Sequence, residues 1–324
     1  MEESVLPRIA QRPDVSPPDP SPRVVTATLN AALDVTLALD ALHFGTKQAV
    51  RSEHVQAGGK GVNVARALAR LGEPALAWVV LGGDTGERIR GSLECEGLPA
   101  LGFEAGGESR TCLELLEPDG RATQLHGAGV EGGGDLSERV MAALSQLPAS
   151  VAWFALCGSL PPGMPPRTAR DLLDAARRRG IRTAVDIRGP ALVEAAAAAP
   201  DLLRVNAEEF RALSARPLDR WLADRTDRPG LVIVSRGAAA FEAATPRGDR
   251  WRIQPPAIEA VNVIGCGDAM LAGWLAAELE GVPLEAALRR ATALGAAEAL
   301  SPVAGRPDPA LALELEPRVE LERL

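Results

Sequence analysis

Short apolar runs alternate with helix-periodic segments along most of this chain, and that alternation leaves few folds open. Strand-like runs fall at residues 23–29, 76–81, 151–157, 183–187, 202–205 and 231–235. Helix-like segments fall between them at 61–71, 87–95, 136–147, 167–179 and 207–215. Strands that are apolar throughout, each followed by a helix, are those of a sheet covered on both faces. The expected fold is therefore α/β, with a largely parallel central sheet. Ligands of such sheets bind beyond the carboxyl ends of the strands, where the glycine-rich loops of this sequence lie.

Two regions depart from the alternation. Residues 33–57 hold short strand-like runs at 34–39 and 47–56, and residues 108–126 hold a second pair at 110–116 and 121–125. Pro118-Asp119-Gly120 is a strong turn signal between the last two. These segments predict a small antiparallel flap able to exclude water from a site, or else edge strands that a second copy of the chain would cover. Residues 1–22 carry six prolines among scattered charges and read as an extended or disordered tail. The folded unit is expected over 23–310, with a C-terminal tail at 311–324.

With 35 basic and 43 acidic residues, a net charge of −8 argues against a nucleic-acid partner but leaves room for a small anionic substrate. No apolar run is long enough to span a bilayer, and the N-terminus lacks the pattern of a secretory leader. The reading is a cytoplasmic protein with no membrane partner. Cys95, Cys112, Cys157 and Cys266 form neither a C-x-x-C pair nor a zinc pattern and read as buried thiols. His43, His54 and His126 have no motif around them and read as surface residues.

Three local signals carry chemistry. Gly265-Cys266-Gly267-Asp268 precedes an apolar helical run. Helix N-terminal amides suit a phosphate, and a carboxylate there makes sense if it must accept a proton as charge develops beside it; a glycine turn with Asp268 as a cap is the alternative. In Gln56-Ala57-Gly58-Gly59-Lys60-Gly61-Val62-Asn63, a glycine loop opens a helix with a cation and an amide in its first turn. The segment is neither a Walker loop nor a dinucleotide fingerprint. A polyol or sugar phosphate fits it, as does a structural turn. Asn206 and Glu209 have the spacing of a capping box, or of a Mg²⁺ site working through water.

Seven segments occur in the order found in the PfkB, or ribokinase-like, carbohydrate kinases. They are 29–34, 57–72, 157–163, 186–189, 206–209, 234–237 and 265–273, and they resemble the phosphosugar branch of that family. The resemblance implies a three-layer α/β/α sandwich with a β lid that often forms a dimer contact, and it implies ATP and Mg²⁺. Asp268 would be the catalytic base, and the amides of Gly265, Cys266 and Gly267 the anion hole. Asp34, Gly58, Gly59, Lys60 and Asn63 would hold the sugar, with Lys60 and Arg110 at its phosphate. Arg204, Ser235 and Gly237 would meet the nucleotide, and Asn206 and Glu209 would place Mg²⁺.

The sequence departs from the family pattern at Arg204-Val205, where Lys-Pro is usual, and at Ala31, Val263 and 126–129. Cys266 replaces the common Ala, and a low-pKa, oxidisable thiol is expected there. The expected activity is phosphorylation of a ketohexose phosphate, fructose 1-phosphate first. Tagatose 6-phosphate, fructose 6-phosphate, a free sugar or a nucleoside are alternative acceptors. A catalytically weak sugar-phosphate-binding regulator is the reading from another class.

Overall fold

A computed structural model describes residues 21–119 and 121–324. The proline-rich stretch through residue 20, and Gly120 of the expected turn, lie outside the described residues. The chain begins with β1 (Val24–Thr28), β2 (Ala32–Ala38), β3 (Ser52–Gly58), α1 (Lys60–Arg70), β4 (Ala75–Leu81), α2 (Gly83–Cys95), β5 (Ala100–Glu104), β6 (Arg110–Leu116) and β7 (Ala122–His126). It continues with α3 (Leu136–Ser145), β8 (Trp153–Gly158), α4 (Arg167–Arg178), β9 (Arg182–Ile187), α5 (Pro190–Ala197), β10 (Leu202–Asn206), α6 (Ala207–Leu213), α7 (Leu218–Ala223) and β11 (Leu231–Ser235). It ends with β12 (Phe241–Ala244), β13 (Arg250–Gln254), α8 (Cys266–Glu280), α9 (Leu284–Glu298), α10 (Pro309–Leu315) and β14 (Glu320–Arg323).

Ten strands form the main sheet, in the order β14-β13-β12-β11-β10-β9-β8-β1-β4-β5. From β5 to β11 every pairing is parallel. The remaining three pairings, out to β14, are antiparallel. The apolar runs are what a sheet between two helical layers requires. Along β8, Trp153, Ala155 and Cys157 enter one core with α1, α8 and α9. Phe154 and Leu156 enter the other core, with α3, α4 and α5. Strand order reverses at β1 and β8: β4 and β5 extend to one side, β9 to β11 to the other. Clefts open at such a reversal, beyond the carboxyl ends of the strands.

The lid is a separate four-stranded sheet, β3-β2-β6-β7. It differs from the antiparallel flap expected from sequence, because β2 and β6 pair in parallel. Both leave the carboxyl ends of parallel strands of the main sheet, β2 after β1 and β6 after β5, so they run in one direction. The outer pairs, β2–β3 and β6–β7, are antiparallel. Residues 47–51, expected to begin a strand, lie before β3, and α2 starts four residues earlier than its apolar periodicity suggests, on the polar turn Gly83-Asp84-Thr85-Gly86.

The expected tail at 311–324 is instead structured. It supplies most of α10 and then β14, which pairs with β13 from Trp251↔Arg323 to Gln254↔Glu320. Its charged sequence is that of an edge strand, where alternate residues face water. No helix among the described residues is long and apolar enough to cross a membrane.

Phe154 is fully buried and meets Trp78 edge-on, with ring centroids 5.7 Å apart. Phe154→Ala is expected to cost about 3–5 kcal/mol of stability. Urea unfolding should show a lowered midpoint with an unchanged slope.

Candidate active site

Beyond the carboxyl ends of β1, β8, β9 and β10 lies a cavity of about 390 Å³, roofed by the lid. It gathers Asp34, Gly59, Lys60, Asn63, Arg110, Arg204, Asn206, Gly265, Gly267 and Asp268, most of the residues picked out by sequence motifs. A larger cleft, about 770 Å³, opens outside α6 against Phe210, Leu218 and Val234. None of the motif glycines, Asp34, Lys60, Arg110 or Asp268 lines it.

Asp186, at the end of β9, is the electrostatic centre of the site. Its side chain is buried between two cations: Lys60 Nζ lies 2.5 Å from Oδ1, and Arg204 pairs with Oδ2. Burial alone would raise the Asp186 pKa, but Arg204 and Lys60 outweigh it and hold the carboxyl below its ordinary range. Burial pulls Lys60 down, but Asp186, with Glu209 and Asp268, more than reverses this, so Lys60 stays charged. Arg204 also donates to Ser235 Oγ at 3.0 Å. A Cβ at Gly267 would lie 2.2 Å from that guanidinium. Gly267 is therefore glycine because Arg204 packs against its backbone.

Asp268 sits in the first turn of α8, whose N-cap, Gly265, has φ +84°. The first-turn amides of a helix have no intrahelical acceptor, so Cys266 and Gly267 present donors beside Asp268. Its carboxyl is pushed up to about 7, first by burial and then by Asp186; Lys60, Asn63 and Arg204 oppose the rise. Asn63 Nδ2 donates to Asp268 Oδ2 at 2.9 Å. The opposite face of that amide is fixed: Arg66 donates to Asn63 Oδ1 at 2.9 Å and is itself held by Glu96 and the Ala57 carbonyl. A chain of three side chains, Glu96, Arg66 and Asn63, thus points one N–H at Asp268.

Asp34 projects from β2 to the glycine pair. A Cβ on Gly58 would fall 1.9 Å from its carboxylate, and one on Gly59, at φ +109°, 2.6 Å from Thr28. Burial, then Glu114, push the Asp34 carboxyl up to about 7. Glu114 accepts from Thr36 Oγ1 at 2.9 Å and lines the same cavity. Arg110 is buried, with Nε donating to the Asn30 carbonyl at 3.1 Å.

Other motif residues lie at the margin. Ser235 is buried behind Arg204, and Gly237, at φ +61°, turns the chain after β11; neither lines the cavity. Asn206 and Glu209 form a full capping box. Asn206 Oδ1 accepts from the amides of Glu208 and Glu209, and Glu209 Oε2 accepts from the Asn206 amide. Only Glu209 Oε1 remains turned toward the site, 3.7 Å from Lys60 Nζ. No group of three or more His, Cys, Asp or Glu among the described residues is arranged to hold a metal.

The cysteine expectations need correction. Cys95 is exposed. Cys266 is no low-pKa thiol: burial, then Glu298 and Asp268, push it up to about 12, and its Sγ points to the Asn262 carbonyl. The helix end expected to favour the thiolate is outweighed by burial, with two neighbouring carboxyls adding to it. Sequence reading also passed over three residues. Asp186 was matched only as part of a segment, although an acid ending an apolar strand is itself a signal. Arg188, in the same matched segment, and His126, at the end of β7 and read as a surface residue, both line the cavity; neither was given a role by its motif.

A family model for pfkB family carbohydrate kinases matches residues 25–311. The chain belongs to the PfkB family. A 1-phosphofructokinase of Rhodobacter capsulatus is 34% identical over 292 residues, covering 86% of this chain and 92% of its own length. Phosphofructokinase-2 of Escherichia coli, solved in complex with potassium, superposes with TM-score 0.82 at 26% identity over 91% of this chain and 98% of its own; the same enzyme has been solved in a tetrameric inhibited form. A possible 1-phosphofructokinase of Thermotoga maritima shares the fold, with TM-score 0.83 at 21% identity over 93% of this chain and 99% of its own. As a PfkB kinase the chain is an ATP-dependent sugar phosphotransferase with a ribokinase-like fold.

In such a kinase an acid that takes the acceptor's proton must be ionised. Activity limited by Asp268 should then fall as pH drops through about 7. Asn63→Ala removes an interaction that favours the ionised form, so the acid limb of the kcat/KM profile is expected to move to higher pH. An unmoved or acid-shifted limb would show that Asp268 does not set it.

Proposed function

We propose that this PfkB kinase transfers the γ-phosphate of ATP to a hydroxyl of a ketohexose phosphate, with fructose 1-phosphate as the preferred acceptor. The observation that carries the reading is Asp268 at the foot of α8, beside glycine amides and in one cavity with Arg110. Identity to the R. capsulatus enzyme favours fructose 1-phosphate among ketohexose phosphates.

Asp268 takes the proton of the attacking hydroxyl, and its raised pKa suits it to hold that proton near neutral pH. The amides of Gly265, Cys266 and Gly267 receive the charge that develops on the transferring group. Lys60 and Arg204, kept charged by Asp186, face the same spot. Asp34, Gly58, Gly59 and Asn63 hold the sugar hydroxyls, and Arg110 and Lys60 serve the acceptor's phosphate. Ser235 and Gly237 border the nucleotide, Ser235 by fixing Arg204. Mg²⁺ would neutralise the nucleotide phosphates when bound. The single free oxygen of Glu209, with Asn206 beside it, fits an ion that keeps its water shell.

Exposed Val55 and Leu125 on the lid support a homodimer formed through this sheet. The acidic surface and the metabolic relatives support a cytoplasmic enzyme that binds neither nucleic acid nor membrane. Tagatose 6-phosphate, fructose 6-phosphate and free sugars or nucleosides are the competing acceptors. The packing of Arg204 against Gly267 is the one observation that favours a sugar-phosphate-binding regulator instead.

ADP release measured across fructose 1-phosphate, fructose 6-phosphate, tagatose 6-phosphate and free hexoses should be fastest with fructose 1-phosphate and should require Mg²⁺. Stabilisation by these sugars without ADP release would favour the regulator. Asp268→Asn is expected to lower kcat by about 10²–10⁴-fold, with acceptor KM changed only a few-fold. Near-normal turnover would remove Asp268 from its role.

A further inference from the structure

The basic groups around the cavity fall into two sets, with Asp34 and Glu114 on the paired lid strands β2 and β6. Lys60 and Arg204 form one, and these cations are matched by the carboxylates of Asp186 and Asp268. Arg110, Arg188 and His126 form the other; Asp34 acts on Arg110 from across the cavity but does not pair with it. Neither Arg110 nor Arg188 makes an ion pair among the described residues. Arg110 is buried and donates only to the Asn30 carbonyl. Arg188 donates from NH2 to His126 Nδ1 at 3.0 Å.

The three are close enough to disturb one another. Burial, then Arg188, then Arg110, lower the His126 pKa. Burial is also the main cause lowering Arg110, and Arg188 adds to it. A neutral His126 that accepts at Nδ1 carries its proton on Nε2, so it too presents a donor. Two guanidinium groups and an imidazole N–H around one space, with no carboxylate pairing either guanidinium, make a site for a compact dianion.

The construction of this site is unusual in one respect. Arg110 begins β6 and His126 ends β7, so both belong to the lid; a Cβ on the next residue, Gly127, would lie 3.1 Å from Arg110 Cβ. Arg188 belongs to the main sheet. It directly follows β9, and its amide donates to the Gly158 carbonyl at 2.8 Å, at the end of β8. The Arg188–His126 hydrogen bond therefore joins lid to core at the mouth of the cavity.

We propose that Arg188 and His126 are acceptor-recognition residues, completing with Arg110 a phosphomonoester site built half from the lid and half from the main sheet. The inference rests on the phosphosugar reading above and adds how the phosphate is selected. A phosphate bound there bridges the two sheets, so recognition of the acceptor's phosphate also fastens the lid. A free sugar lacks that bridge.

Steady-state kinetics on the full chain test this, with the best phosphosugar and its unphosphorylated hexose as acceptors. Arg188→Ala should raise phosphosugar KM by about 10- to 100-fold, the range of a charge-assisted contact. KM for ATP and for the free hexose should stay within about twofold. Arg188→Lys should recover only part of the loss, because a point charge cannot bind two oxygens in parallel. A double-mutant cycle of Arg188→Ala with His126→Ala should be non-additive for the phosphosugar and additive for the free hexose.

A phosphosugar KM unchanged in Arg188→Ala, with Arg110→Ala raising it, would overturn the proposal, and so would equal effects on both acceptors. A wild-type enzyme with no preference for phosphosugars would instead overturn the phosphosugar reading itself. Inorganic phosphate supplies a second readout: it should raise the Tm of the wild type and not that of Arg188→Ala, and an equal rise in both would count against the site.

Discussion

A single buried carboxylate, Asp186, holds together the end of the cavity at the foot of α8. Lys60 reaches it from the start of α1 and Arg204 from within β10, so one acid ties two strands of the main sheet to the helix that follows the lid. A buried ion pair is a weak source of net stability, because desolvation offsets the attraction. Its effect here is positional. Asp186 keeps both cations charged and aimed at the foot of α8. The need for glycine at 267 and the hold on Arg204 by Ser235 both follow from where Asp186 puts the guanidinium.

A second network acts on Asp268 in the opposite sense. Burial and the nearby Asp186 would leave Asp268 protonated, whereas Asn63, Lys60 and Arg204 draw it back toward ionisation. An asparagine amide can present either its N–H or its oxygen. Arg66 removes the choice by occupying the oxygen, and Glu96 in turn fixes Arg66. The protonation balance of the acid is thus set partly by residues that lie outside the cavity.

Most of the main sheet was legible in the sequence, because strands buried on both faces must be apolar throughout, as β8 and β11 are. The glycine motifs were legible for a related reason: Gly58, Gly59 and Gly267 mark places where a side chain or backbone comes too close for a Cβ. What escaped reading depended on distant partners. The parallel pairing of β2 with β6 joins residues far apart in sequence. The charged β14 shows no strand pattern without β13 beside it. Cys266 follows a helix-terminal rule until burial, and then Glu298 from α9, reverse it. Arg188 and His126 are ordinary surface residues until the lid folds over β9. The Asn206–Glu209 spacing admitted two readings. The capping geometry is formed in full, which leaves one carboxylate oxygen facing the site.

The β2–β3 half of the lid is not attached to the core by linkers. Leu29, Asn30 and Ala31 alone separate β1 from β2, and Gly59 alone separates β3 from α1. The half of the roof that carries Asp34 and the glycine pair is consequently one uninterrupted piece of chain with β1 and α1, from Val24 to Arg70, and β6 and β7 supply the other half. In the evolution of such a kinase, an exchange of the lid would carry Asp34 and the Gly58–Gly59 pair with it. Acceptor choice and lid shape are then inherited as a unit, and a chimera that joined the lid of one relative to the sugar loop of another would cut through the segment that both must share.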